Sequence, residues 1–144
     1  MHPKDFLSQL DEDRIIAAIA EAEKKTSGEI RVYISHKKRQ DAMAFAQKRF
    51  LDLGMDKTRD RNAVLIYIVP LTRQFAVIGD TAVHEKCGNA FWQEVAALMT
   101  QSLKEELFTA AIVRAVEKIG QLLAAHFPRR PDDTNELPNQ IVRD

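Results

Sequence analysis

The feature that most constrains the fold of this chain is the apolar run Ala63–Val69, in which only Tyr67 carries a polar side-chain group. The run is far shorter than the roughly 20 residues that a membrane helix needs. Several of its residues are β-branched, which favours an extended conformation. A strand this apolar is typical of a central position in a sheet that is covered on both faces.

A second strand is predicted upstream, where apolar and polar residues alternate from Glu29 to Ser35. A helix with Asp41 as its N-cap and Gly54 at its end joins this strand to the central one. A strand, helix, strand connection is right-handed and places its two strands parallel. We therefore expect the first two strands to be parallel neighbours.

A hairpin is predicted after the central strand. The segment Pro70 to Arg73 reads as a turn, and Gln74 to Gly79 reads as a third strand. Because the turn is short, this strand should run antiparallel to the central one.

Helical periodicity predicts three further helices, over Asp5 to Lys25 with Asp11 as N-cap, about Ala90 to Leu103, and about Glu105 to His126. The order of elements predicts the α/β class: a single three-layer domain with a small mixed β-sheet between helices. We place this domain at residues 1–127. Residues 128–144 are predicted to form a polar, Pro-containing C-terminal tail that runs along the surface or is partly mobile.

Charge and composition limit the classes of partner that we expect for this chain. Lys plus Arg and Asp plus Glu both number 21, so no net field draws the chain to nucleic acid or an anionic membrane. The first residues lack the apolar stretch of a signal peptide, and the single cysteine, Cys87, excludes an internal disulfide. We expect a cytoplasmic protein with no nucleic-acid partner and no membrane insertion.

Several enzyme motifs are absent from the sequence. It contains no Gly-x-Gly-x-x-Gly, no Gly-x-x-x-x-Gly-Lys and no Gly-x-Ser-x-Gly, which removes the phosphate-cradling loops and the nucleophile elbow. The segment His84-Glu85-Lys86-Cys87-Gly88 lacks the second histidine of a zinc-protease helix. These absences leave no obvious nucleophile or tuned base.

One group of polar residues converges through the predicted topology. Parallel strands place Glu29 and Asn62 at the same end of the sheet, and the hairpin returns Asp80 to that end. Asp60, Asn62 and Asp80 should therefore approach one another, with Glu85 five residues beyond Asp80. Hard oxygen ligands in loops suit Ca²⁺ or Mg²⁺. The sequence thus predicts a weak cation site of Asp60, Asn62, Asp80 and Glu85.

Simpler readings of the same residues stay open. Arg59, Arg61 or Arg73 can pair with the acidic groups, which are then ordinary surface charge. Cys87 is either a reactive thiolate at a helix start or, more commonly, a small buried hydrophobe. The run Lys37–Arg39 is either a solvated face or a basic rim for an anionic partner.

Three ordered segments resemble the TPM domain family, which groups a thylakoid lumen protein, a photosystem-associated protein and a receptor modulator. They are Thr26-Ser27-Gly28-Glu29-Ile30-Arg31-Val32, then Arg61-Asn62-Ala63-Val64-Leu65-Ile66, then Ile78-Gly79-Asp80 followed by His84-Glu85-Lys86. The ending Asn135-Glu136-Leu137-Pro138-Asn139 is similar to that of short bacterial members.

The resemblance implies a mixed sheet between helices and divalent-cation binding in loops at one sheet end, with Asp60, Asn62, Asp80 and Glu85 as the matching residues. It also implies an alternative activity, because a plant relative is described as an acid phosphatase. The expected function is non-enzymatic binding of a divalent cation, a protein partner or both. The alternative is a weak metal-assisted acid phosphatase.

Overall fold

A four-stranded sheet forms the centre of the computed structural model, which describes residues 11–104, 108–131 and 135–144. Its strands are β1 (Glu29–Ile34), β2 (Ala63–Val69), β3 (Gln74–Gly79) and β4 (Val142–Arg143), and they lie side by side in the order β3-β2-β1-β4. β1 is parallel to both β2 and β4, whereas β2 and β3 form an antiparallel hairpin. The predicted parallel pair and the predicted hairpin are both confirmed.

Four helices cover the two faces of the sheet: α1 (Glu12–Glu23), α2 (Ala42–Asp52), α3 (Thr81–Lys104) and α4 (Phe108–His126). Short 3-10 turns occupy Met55–Lys57 and Pro70–Thr72. α1, α3 and α4 share one apolar cluster with one face of the sheet, and α2 packs on the other face. The predicted three-layer α/β architecture is therefore confirmed.

Burial on both faces explains the composition of the two central strands. On one face, Ile66 lies among apolar residues of α1, α3 and α4. On the other face, Leu65 and Tyr67 pack with Phe50 of α2 and with Met55. Every residue of β1 and β2 is consequently buried, although the β1 sequence alternates between apolar and polar residues.

The predicted N-caps are confirmed for the first two helices. The Asp11 carboxylate accepts a hydrogen bond from the Arg14 N–H at 3.1 Å, and the Asp41 carboxylate accepts one from the Ala44 N–H at 3.1 Å. These bonds satisfy N–H groups that have no partner within the first turn of a helix. The predicted start of the first helix at Asp5 lies outside the described residues, as do residues 105–107.

The third helix begins earlier than predicted. The sequence places its start near Ala90, but α3 begins at Thr81, directly after the buried Asp80. The Asp80 carboxylate accepts a hydrogen bond from the Thr81 N–H at 2.7 Å, which stabilises the new start. Gly88, at φ 70° and ψ −173°, interrupts the helix. Because of this break, the helical segment before Gly88 does not continue the periodicity of the segment after it.

The C-terminal tail contains a strand that the sequence did not predict. Val142 and Arg143 pair with Tyr33 and Ile34 of β1. The Asp144 carboxylate accepts hydrogen bonds from the Ser35 hydroxyl at 2.9 Å and from the His36 N–H at 2.8 Å. These contacts hold residues 142–144 against the sheet.

Candidate functional site

The amino ends of β1 and β2 carry the polar residues that the sequence singled out. Asp80 follows β3 at this end, and its N–H donates to the carbonyl of Ala63 at 3.0 Å. The Arg61 guanidinium donates two hydrogen bonds to the Asp80 carboxylate, at 2.7 and 2.8 Å. Asp80 is only 4% exposed, so the pair is charge-assisted and largely shielded on the carboxylate side. Arg61 is held at a φ of 53°, an uncommon value for a residue with a side chain.

The other predicted ligands lie around this pair with different partners. The Asp60 carboxylate accepts from the Arg130 guanidinium at 2.5 Å, and Arg59 lies 3.9 Å away. The Asn62 amide donates to the Ser27 hydroxyl at 3.0 Å. Glu85 is exposed on α3. The structure therefore brings Asp60, Asn62 and Asp80 to one end of the sheet, but each already has a protein partner.

In this arrangement, the predicted ligands Asp60, Asn62, Asp80 and Glu85 do not together form a cation site. In the part of the chain that the structure describes, no three His, Cys, Asp or Glu side chains are grouped so that they could hold a metal ion. Guanidinium groups occupy both aspartates, which agrees with the alternative that arginines pair with these acidic groups; Arg61 and Arg59 were named from the sequence, whereas Arg130 was not. Arg73 does not contribute, because it lies beyond the opposite end of β2. Cation binding by these residues requires an arginine to leave first.

A buried pair of carboxyl groups, Glu23 and Glu29, lies beside this cluster. Glu23 is 6% exposed and Glu29 is 2% exposed. The Glu23 carboxylate accepts a hydrogen bond from the Ile30 N–H at 2.9 Å. Ile30 lies in the part of β1 that does not pair with β4. One Glu29 oxygen accepts from the Glu136 N–H at 2.5 Å, while the other is buried without a protein partner. The pair thus joins α1, β1 and the C-terminal tail.

Burial changes the ionisation of both groups. Loss of hydration raises the pKa of Glu23 from its ordinary 4.5 to about 8, and the neighbouring Glu29 charge adds to the rise. The pKa of Glu29 is raised as well, mainly by burial. Because the two carboxyl groups are neighbours and influence each other's ionisation, the pair titrates as a unit. Arg31, also buried on β1, has its pKa lowered by burial while Glu29 opposes that effect.

Sequence reasoning noted Glu29 as a neighbour of the predicted site but missed Glu23. The signal was present, because Glu23 follows the buried Ile15 and Ile19 at intervals of four residues and so falls on the inner face of α1. Glutamate is rarely buried, so this periodicity alone does not predict an inner position for Glu23.

Cys87 behaves as a small apolar residue and not as a reactive thiolate. It lies on α3, is partly buried, and packs against the larger apolar cluster. Burial raises the pKa of its thiol, although the adjacent Lys86 opposes that effect. A raised pKa leaves less of the nucleophilic thiolate at neutral pH.

Comparisons with known proteins agree with this architecture. Residues 1–122 match the family model of the TPM domain. The NMR structure of the BA42 protein from the psychrophilic bacterium Bizionia argentinensis is 36% identical, with a TM-score of 0.87 and coverage of 92% of each chain. The solution NMR structure of the N-terminal domain of the cg2496 protein from Corynebacterium glutamicum has a TM-score of 0.62. At 16% identity, over 95% of this chain and 82% of that one, it shows the fold alone.

No curated protein matches the chain. Within the described residues, no helix combines the length and apolar character needed to cross a membrane. The matched family model spans most of the sequence and the BA42 structure is similar over nearly all of it, so this chain belongs to the TPM domain family.

Proposed function

We propose that this protein is a non-enzymatic binding module. Its carboxylates at the amino end of the sheet would weakly bind a positive charge, either Ca²⁺ or Mg²⁺ or a cationic side chain of a protein partner. The observation that supports this proposal is that Asp60 and Asp80 both serve as acceptors for guanidinium groups. A carboxylate that already pairs with a guanidinium group can exchange that group for another cation, but it is not poised to attack a substrate.

The two ion pairs differ in how easily they exchange. Arg130 and Asp60 are 46% and 27% exposed at their side chains, and exposed pairs contribute only about 0–1 kcal/mol. Asp80 is 4% exposed at its side chain and is held twice by Arg61. An incoming cation would therefore replace Arg130 at Asp60 first and engage Asp80 afterwards. Because an arginine must be displaced, we expect a dissociation constant near the weak end for calcium sites, roughly 10⁻⁴–10⁻³ M.

A titration of the protein with CaCl₂ or MgCl₂ tests the proposal. With ~10 mM ion and a dissociation constant of ~10⁻⁴ M, binding to the folded state adds about 2.7 kcal/mol to the free energy of unfolding. That stabilisation should raise the melting temperature by several degrees. The amide resonances of residues 59–62 and 79–82 should shift with the same saturation curve.

Variants separate the site from general surface charge. Asp60→Asn should abolish the shift, whereas Asp13→Asn/Asp52→Asn, which removes two exposed carboxylates elsewhere, should preserve it. Arg130→Ala should tighten ion binding by about two- to five-fold, since the competing pair is lost. If Arg130→Ala weakens binding, or if neither ion moves the melting temperature or the resonances, these aspartates do not form a cation site.

The same samples distinguish binding from catalysis. Hydrolysis of p-nitrophenyl phosphate should stay at the buffer rate with and without Mg²⁺. Turnover that requires Mg²⁺ and disappears in Asp80→Asn, but persists in Asp13→Asn/Asp52→Asn, would contradict a non-enzymatic module and support the phosphatase alternative.

A further inference from the structure

The carboxyl ends of β1 and β2 form a second surface, at the opposite end of the sheet from the aspartate cluster. The loop of residues 35–41, after β1, meets the turn Pro70–Thr72, after β2. The Thr72 hydroxyl donates to the carbonyl of Arg39 at 2.7 Å, and the Ala42 N–H donates to the side-chain oxygen of Gln74 at 3.1 Å. These bonds fix the two loops side by side. In open α/β sheets, the carboxyl end is where ligands usually bind.

Four cationic residues, Lys37, Lys38, Arg39 and Arg73, lie on these loops. Among the residues that the structure describes, no carboxylate lies within ion-pair distance of any of them. The Arg39 guanidinium lies 4.4 Å from the centre of the Phe45 ring, and its Nε atom is buried without a hydrogen-bond partner. This set of four residues is the cationic surface.

The nearby negative charges are already engaged. The Asp41 carboxylate accepts from the Ala44 N–H as a helix cap, and the Asp144 carboxylate accepts from the Ser35 hydroxyl and the His36 N–H. The surface keeps a positive balance and has room for external acidic groups.

A groove runs beside the cationic surface, between the start of α2 and the start of β3. It has a volume of about 390 Å³ and is lined by residues 40–43 and 73–75. Met43 and Leu71 are 48% and 38% exposed at this end of the molecule, and Phe75 forms part of the groove wall. The lining combines the apolar Ala42, Met43 and Phe75 with the cationic Arg73, and it also contains the polar Gln40 and Gln74 and the helix-capping Asp41.

The outer edge of β3 borders the same groove. Because the Asp80 N–H bonds to the carbonyl of Ala63, and bonded pairs alternate along an antiparallel ladder, Phe75 and Val77 direct their backbone groups away from β2. In the described part of the chain, no group bonds to them on that side. The strand Gln74–Gly79 contains no charged residue and no proline, the usual protections of an exposed edge.

We propose that this end of the molecule binds an extended acidic segment of a partner protein. The segment would add to β3 at Phe75 and Val77, place an apolar side chain in the groove, and set its carboxylates against the cationic surface. A free phosphate would use only the cations, and a second copy of this chain would use mainly the strand edge. An extended acidic peptide uses all three features, which lie next to one another.

The test uses the intact protein and a blocked peptide of about nine residues in which glutamate and valine alternate, so that one face can enter the groove. Amide resonances of Phe75, Val77 and residues 37–40 should shift in a saturable way. Replacing each glutamate of the peptide with glutamine should weaken binding about ten-fold at low salt, and the lysine version should not bind. A peptide N-methylated on the edge-facing residues should lose the shifts at Phe75 and Val77, because it cannot donate to their carbonyl groups.

A matched pair of variants tests the charges. Lys37→Glu/Lys38→Glu should weaken binding of the glutamate peptide by about ten-fold or more, and added salt should weaken wild-type binding. Lys24→Glu/Lys25→Glu, which reverses two exposed lysines at the end of α1, should leave binding unchanged. Thermal unfolding of both double variants checks that each one folds.

Several outcomes would overturn the proposal. Equal binding of the glutamate and glutamine peptides would remove the role of charge. The same resonance shifts with inorganic phosphate alone would indicate a simple anion site, and binding to phosphatidylserine vesicles without binding to the peptide would indicate a lipid surface. Concentration-dependent dimers with shifts at Phe75 and Val77 would show that a second copy of the chain occupies the edge.

Discussion

The substitution Glu23→Gln tests whether the buried carboxyl pair holds a proton in the folded protein. The glutamine mimics the protonated acid: its oxygen can accept from the Ile30 N–H, and its amide can donate to the unpartnered oxygen of Glu29. At about pH 6 we expect the variant to match the wild type to within about 1 kcal/mol, since one hydrogen-bonded group replaces another.

The magnitude follows from the pKa of Glu23, which rises from 4.5 to about 8 on folding. Because the folded chain binds the proton more tightly than the unfolded chain, this contribution to stability is fully present below about pH 4.5 and is lost as pH rises through about 8. Each pKa unit corresponds to about 1.4 kcal/mol. The wild type should therefore lose roughly 2–5 kcal/mol of unfolding free energy between about pH 5 and pH 9.

Urea unfolding, followed by circular dichroism at several pH values in that range, measures this loss. Glu23→Gln should lose much less stability than the wild type and become the more stable protein at about pH 9. Glu21→Gln, an exposed change on the same helix, should follow the wild-type curve. A wild-type stability that stays flat from about pH 5 to 9, or a Glu23→Gln curve parallel to it, would refute the shared proton.

Three further predictions concern packing. Ile66→Asp places a carboxylate at a site with 0% exposure in the centre of the sheet and should abolish folding, so a soluble variant with a cooperative melt would contradict this account. Gly79→Ala sets a Cβ atom against the Trp92 ring, within 2.8 Å of its Cζ2 atom. The variant should lose about 1–3 kcal/mol of unfolding free energy, measured by urea unfolding. Ala90→Ser, on the exposed face of α3, should lose far less. Truncation after Pro131 removes the half-buried Leu137, Ile141 and Val142 and should lower the melting temperature by roughly 5–15 °C. A change below about 2 °C would show that the tail contributes no packing.

The parts of the fold that the sequence predicted depend on strong local patterns. Ala63–Val69 is apolar because both faces of β2 are covered, and Asp41 precedes a helix because its carboxylate caps that helix. Both features are visible without knowledge of distant residues. The parallel and antiparallel pairings then follow from connection length and handedness.

The parts that it missed depend on partners far along the chain. β4 contains only two residues and exists because Tyr33 and Ile34 present a free edge. The pairing of Asp60 with Arg130, which lies 70 residues later in the sequence, was not predicted. No local pattern specifies which of several arginines reaches a given carboxylate, so the arrangement of the candidate site could not be derived from spacing.

The position of β4 also sets an order for biosynthesis. β1, α2, β2 and β3 follow one another closely along the chain, so their mutual contacts can form soon after each is synthesised. By contrast, the bonds between Ser35 and Asp144 span 109 residues and must wait until residue 144 has emerged from the ribosome. α1 waits as well, because it packs against α4. Until those residues have been synthesised, the outer edge of β1 at Tyr33 and Ile34 lacks its partner strand and the inner face of α1 lacks the cover of α4.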